Sequence, residues 1–231
     1  MQVSDPADSS FLLPTREAEA ARYALTRRLA PSMRHHLVVN LQPIGMIYEV
    51  MDRRLRTSEP DLAHVQDSAN KINAFARAAL ASCTDVVGWL APDETVGISV
   101  EDAVRECAGM LATSLSFRGY ALRNEVKPLP GRVRRSAARN LISGALVYVT
   151  DHLEPAAALV ITAQVNEQSQ PQGVSIHITV RPGGGDKGFA AEAGYRKLEW
   201  SDLAAMAAAE RAGLAREQEG LAIQLPWLVA A

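Results

Sequence analysis

The sequence predicts an α+β protein: an N-terminal antiparallel helical hairpin that pairs with a second copy to form a dimeric four-helix bundle, then an α/β sandwich. Three observations predict it. Apolar residues recur at steps of three and four over residues 25–55, and a second apolar stripe at heptad spacing runs over 62–83. Only a short connection, near Arg56 to Glu59, separates the two stripes. From Val96 the texture changes to helical stretches mixed with strand-like alternation.

Residues 1–14 read as a flexible tail. The hairpin is expected over 15–90 and the sandwich over 96–231. Thr15 is a plausible N-cap, with Glu17 and Glu19 near the positive end of the helix. The first stripe is Leu25, Leu29, Met33, Leu37, Leu41, Ile44, Tyr48, Met51 and Leu55. Ser58 is read as the cap of the second helix, with Pro60 in its first turn and Asp61 three residues after the cap. Its stripe is Leu62, Val65, Ala69, Ile72, Ala76, Ala79 and Cys83. A hairpin with one apolar seam per helix cannot hide both seams alone, which predicts a homodimer.

Gly88 to Thr95, marked by Pro92, breaks the pattern and sets the boundary. Beyond it, Ser99 caps a helix to about Phe117, and Tyr120–Val126 alternates like a strand. A helix follows over Arg132–His152, with strands over Ala156–Val165 and Gly173–Val180. Gly183–Lys187 reads as a loop, Ser201–Ala212 as a helix and Gly220–Leu225 as a last strand, giving helices on one face of a largely antiparallel sheet.

Composition narrows the function classes. A net charge of -2 gives no global pull toward nucleic acid or anionic membrane. No apolar run approaches the ~20 residues that span a bilayer, and the polar N-terminus is unlike a signal peptide. A cytoplasmic protein without its own membrane sensor is expected. Cys83 and Cys107 read as buried thiols, not as a disulfide or metal framework.

The most informative stretch is Met33-Arg34-His35-His36-Leu37-Val38-Val39-Asn40-Leu41-Gln42-Pro43-Ile44. A proline inside a helix removes a backbone hydrogen bond and costs roughly 3 kcal/mol, so its presence asks for a reason. The helical period turns His35 away from Met33 and Leu37, hence toward solvent. His36 falls on the flank of the seam, as a packing or orienting residue. Adjacent helical side chains do not converge, so the pair is a poor metal site. By spacing alone, His35 is either a reactive group or an incidental surface histidine.

This stretch resembles the phospho-acceptor motif of bacterial sensor histidine kinases. There a histidine is followed by an acid, an apolar, a basic and a polar residue, and then by leucine, proline and an apolar residue. His35, Leu37, Leu41, Pro43 and Ile44 match without gaps, and Asn40-Leu41-Gln42 matches a second version of the motif. The resemblance implies that His35 is the phospho-acceptor and that His36 stands where the orienting acid would be. A neutral imidazole lacks the negative charge with which a carboxylate orients the acceptor ring and helps remove its proton, which implies phosphate taken from a partner rather than self-phosphorylation.

The remainder resembles the ATP-binding domain of the same kinases. Asn140-Leu141-Ile142-Ser143-Gly144-Ala145-Leu146-Val147-Tyr148 resembles its asparagine-rich helix, and Ala222-Ile223-Gln224-Leu225-Pro226 its closing strand. The second asparagine is Gly144. The aspartate that would read adenine is replaced in Arg181-Pro182-Gly183-Gly184-Gly185, and an arginine cannot accept the adenine amino hydrogen. Asp186 is a stray acid nearby. The resemblance thus implies a degenerate site with no cofactor. Asn140 is the one candidate cofactor-binding residue should ATP and magnesium bind.

A kinase-like dimer of this length without a nucleotide site resembles the two-domain histidine phosphotransferases of phosphorelays. The partners this implies are response-regulator receiver domains and an upstream hybrid kinase. A divergent ATP-dependent histidine kinase and a non-catalytic dimeric signalling adaptor stay open as alternatives.

Overall fold

The computed structural model describes residues 15–91, 95–166, 172–189 and 194–228; the expected tail, 1–14, lies outside them. The hairpin comprises α1 (Arg16–Leu55) and α2 (Leu62–Leu90). Thr15 caps α1, its Oγ1 accepting from the Ala18 amide at 3.2 Å, and Arg53 and Arg54 meet the negative end. The helix runs through both Pro31 and Pro43. The cap of α2 is Asp61, not Ser58. One carboxylate oxygen of Asp61 accepts from Ala63 at 3.0 Å and His64 at 3.2 Å, so two orphan amides are satisfied there and Pro60 stays in the connection. Nor does the pattern break at Gly88: α2 runs on to Leu90, and Trp89 is held under the Arg139 guanidinium at 4.5 Å.

Next come β1 (Gly97–Ile98), α3 (Val100–Phe117), β2 (Ala121–Asn124), β3 (Val133–Arg134), α4 (Arg135–His152), β4 (Ala158–Asn166) and β5 (Gly173–Arg181). The chain then forms α5 (Trp200–Ala209), β6 (Gly213–Glu217) and β7 (Gly220–Pro226). The main sheet has the order β2-β4-β5-β7-β6, parallel only between β2 and β4. A two-residue ribbon pairs β1 with β3. The ribbon and β6 are additions to the elements expected from sequence. The α+β class, with a hairpin followed by a sandwich, is as expected.

Inward positions alternate as the strand period demands: Ile176 and Ile178 are fully buried, whereas His177 and Thr179 are half-exposed. The central helix α4 is buried nearly all round, because the sheet lies on one side of it and other helices on the opposite side. One of those helices is α1. Leu25, Leu29 and Met33, expected in the bundle seam, are instead buried in the core shared with α3, α4 and α5. Spacing had identified the apolar face but not what covers it. Burying each such leucine contributes about 1.5–3 kcal/mol.

Farther along, the two stripes divide. Leu37, Ile44 and Met51 of α1 and Val65, Ile72 and Ala79 of α2 are at least partly covered within the hairpin, and Asn40 donates to Ser82 Oγ at 2.8 Å across it. Leu41, Tyr48 and Leu55 are exposed, and so are Leu62, Ala69, Ala76 and Cys83. The heptad stripes assigned to one seam therefore serve two faces. Cys83, expected to be buried, is exposed. Cys107 is buried in the core, which pushes its thiol up to about 12.

Candidate functional site

His35 is exposed on α1, about half a turn beyond Met33, the last α1 residue in the core shared with the sandwich. Among the described residues its side chain makes no hydrogen bond. His36 is half-buried, and its ring lies 6.4 Å from that of His35, so the two imidazoles are not directly hydrogen-bonded. Among the described residues, no group of three or more metal-ligating side chains assembles.

What periodicity could not show is that His35 stands on the wall of a cavity of about 500 Å³ between α1 and the sandwich. From the sandwich come Thr113, Ser114, Phe117 and Arg118 at the C-terminal end of α3, together with Phe189 and Tyr195. These residues lie far from His35 in sequence, so no local pattern announces them. The exposed rings of Phe117 and Phe189 are 6.2 Å apart. The loop carrying Phe189 is fastened to the turn after α3: the Asp186 amide donates to Gly119 O at 2.8 Å and the Phe189 amide to Phe117 O at 2.9 Å. Gly119 permits this with φ of +81°; a Cβ there would lie 2.1 Å from Asp186 O. The stray acid Asp186 is thereby placed in a loop against the end of α3.

The cavity floor is charged. Arg28 grips Asp151 with two donors, at 2.7 and 2.9 Å, and Arg118 approaches the same carboxylate at 3.5 Å. Asp151 is 1% exposed, and it also accepts from the Leu198 amide at 3.1 Å. A second buried hub lies one face away, where Glu210 accepts from Arg22 at 2.7 Å and Arg134 at 3.4 Å. Together these ion pairs pin α1 on both sides of the Leu25–Leu29 contact.

Asn140, the one candidate cofactor residue, donates to Glu210 at 3.1 Å. The helix face at Gly144 is packed: a Cβ there would meet Met206 Cε at 2.9 Å, Leu203 Cδ2 at 3.0 Å and Leu25 Cδ2 at 3.8 Å. Arg181 pairs with Glu219 at 3.4 Å on the surface.

The chain matches no family model and no curated protein. Solved structures similar to it include a histidine kinase of Acinetobacter baumannii, at 13% identity over 84% of this chain and 98% of that one, with a TM-score of 0.44. A bacterial phosphotransferase is similar at 12% identity over 96% and 100% of the two chains, TM-score 0.38. A histidine kinase from Burkholderia phymatum is similar at 12% identity over 94% and 100%, TM-score 0.41. Among the described residues no helix is long and apolar enough to cross a membrane.

Proposed function

We propose that this chain is a histidine phosphotransferase of a two-component phosphorelay, with His35 passing phosphate to and from the aspartate of response-regulator receiver domains. The observation that carries the reading is the exposure of His35, within the acceptor-like motif, on a helix held rigidly against the sandwich. One ring nitrogen attacks the phosphorus of the receiver's aspartyl phosphate. The N–P bond forms, the P–O bond to the aspartyl group breaks, the carboxylate leaves, and the imidazole proton passes to solvent. The receiver brings its own aspartate and magnesium, so the chain needs to supply only an accessible, well-positioned imidazole. His36, half-buried beside it, is in this reading the neighbour that orients His35.

The residues on the asparagine-rich helix do not fit ATP and magnesium. Asn140 is engaged by Glu210, and Leu203, Met206 and Leu25 fill the space over Gly144, so no step is routed through a nucleotide. The test is incubation of the full chain with a phosphorylated receiver. Acid-labile label on the His35 peptide, with no ATP binding by calorimetry, is the expected result. Label confined to another peptide would overturn the site, and ATP binding would favour the kinase reading.

The homodimer belongs to the same proposal. Leu41, Tyr48 and Leu55 on α1 and Leu62, Ala69, Ala76, Leu80, Val87 and Leu90 on α2 form exposed stripes that a second hairpin would cover. Leu80→Glu puts a carboxylate into that seam. It is expected to raise the dimer dissociation constant on the order of a hundredfold or more. Sedimentation should then show monomer, and the Cys83 thiol should become quick to alkylate while Cys107 stays inert. An unchanged oligomeric state would refute the seam.

A further inference from the structure

We propose that the cavity beside His35 is a binding site for an amphiphilic monoanion, a carboxylate carrying an apolar tail. Its size lies within the range of small-molecule pockets, which are apolar with a few convergent polar groups. The walls supply the apolar part: Pro31 and Val38 from α1 face Phe117 and Phe189 from the sandwich. Both phenylalanines are largely exposed, at 63% and 74%, and a tail lying between them would cover that area.

The floor supplies the charge. Arg28 and Arg118 both line the cavity with side chains only 12% and 13% exposed, and the carboxylate they share is Asp151. Two guanidinium groups on one carboxylate leave one positive charge on the poorly hydrated floor, where an anion is attracted more strongly than in water, and the exposed Arg34 adds a solvated cation to the wall. Ser32, Thr113 and Ser114 put hydroxyl donors around the same space. A neutral apolar ligand would leave that charge unanswered. A multiply charged one such as a nucleotide would have to desolvate its further charges against the phenylalanine walls.

A tail seated here lies against His35 and shields one side of its imidazole. That consequence rests on the phosphotransfer reading; the binding itself does not.

Decanoate below its micellar concentration is the probe, with decanol as the neutral control, measured by calorimetry on the full chain. Decanoate is expected to bind saturably, one per chain, and about tenfold or more tighter than decanol. Thr113→Trp, which fills the space from an exposed position, should abolish binding of both. Phe117→Ala with Phe189→Ala should weaken both, and Arg118→Gln should erase the preference for the acid. No saturable binding, equal affinity for acid and alcohol, or binding untouched by Thr113→Trp would each overturn the site. Decanoate should also slow receiver-to-His35 transfer in the unmodified chain but not in Thr113→Trp. Binding without slowing would refute the shielding alone, and a chain that binds decanoate but never takes phosphate would refute the relay reading alone.

Discussion

His35→Ala is expected to abolish phosphate uptake from a receiver while leaving the fold and the dimer intact. The imidazole is exposed, and among the described residues it makes no hydrogen bond, so its removal opens no cavity and orphans no partner. Surface changes of that kind fall within about ±0.5 kcal/mol. The loss of transfer is therefore chemical rather than structural: alanine offers no lone pair to phosphorus. Thermal unfolding and acid-labile label measured on one preparation separate the two effects. His36→Ala is the control, expected to retain label at a reduced rate, because the proposal gives that half-buried ring an orienting role and not the acceptor's. Wild-type label in His35→Ala would end the assignment.

Asp151→Ala is expected to cost the most stability of any single change discussed. The carboxylate is almost fully buried and holds Arg28, Arg118 and the Leu198 amide together. Removing it leaves two largely buried cations repelling each other, and breaking such a buried pair costs about 3–5 kcal/mol. For a chain of this size, each kcal/mol lowers Tm by about 2–4 °C, so a drop on the order of 10 °C is expected in calorimetry. Asp67→Ala removes an ion pair to Lys71 that is 60% exposed on both sides and should change little. A small effect at Asp151 would show that the floor of the cavity does not hold α1 in place.

The two helices of the hairpin were legible because periodicity is a property of neighbours in sequence. Which surface covers each stripe was not. Leu25 and Leu41 have the same local pattern, yet one packs on Gly144 of α4 and the other is exposed. The cap of α2 was misread by three residues, because Ser58 and Asp61 both carry capping oxygens and only geometry shows which one meets free amides. Strand β6 was missed since Leu-Ala-Arg-Glu alternates weakly and is paired on one side only, with β7. At the candidate site, the exposure of His35 followed from the helical period alone. The charged floor and the phenylalanine pair did not, for they arrive from α3 and from loops that only the fold brings near.

The attachment of the sandwich to both helices has a mechanical consequence. Arg139 of α4, 3% exposed, bonds Asp85 of α2 at 2.6 Å and stacks on Trp89, while Arg28 ties α1 to the far end of α4. The sandwich is thus fastened at two points to the hairpin that bears His35. Under the phosphotransfer proposal the moving part is then the visiting receiver, which arrives by diffusion at a stationary berth, and turnover is expected to track receiver concentration and viscosity rather than any internal swing.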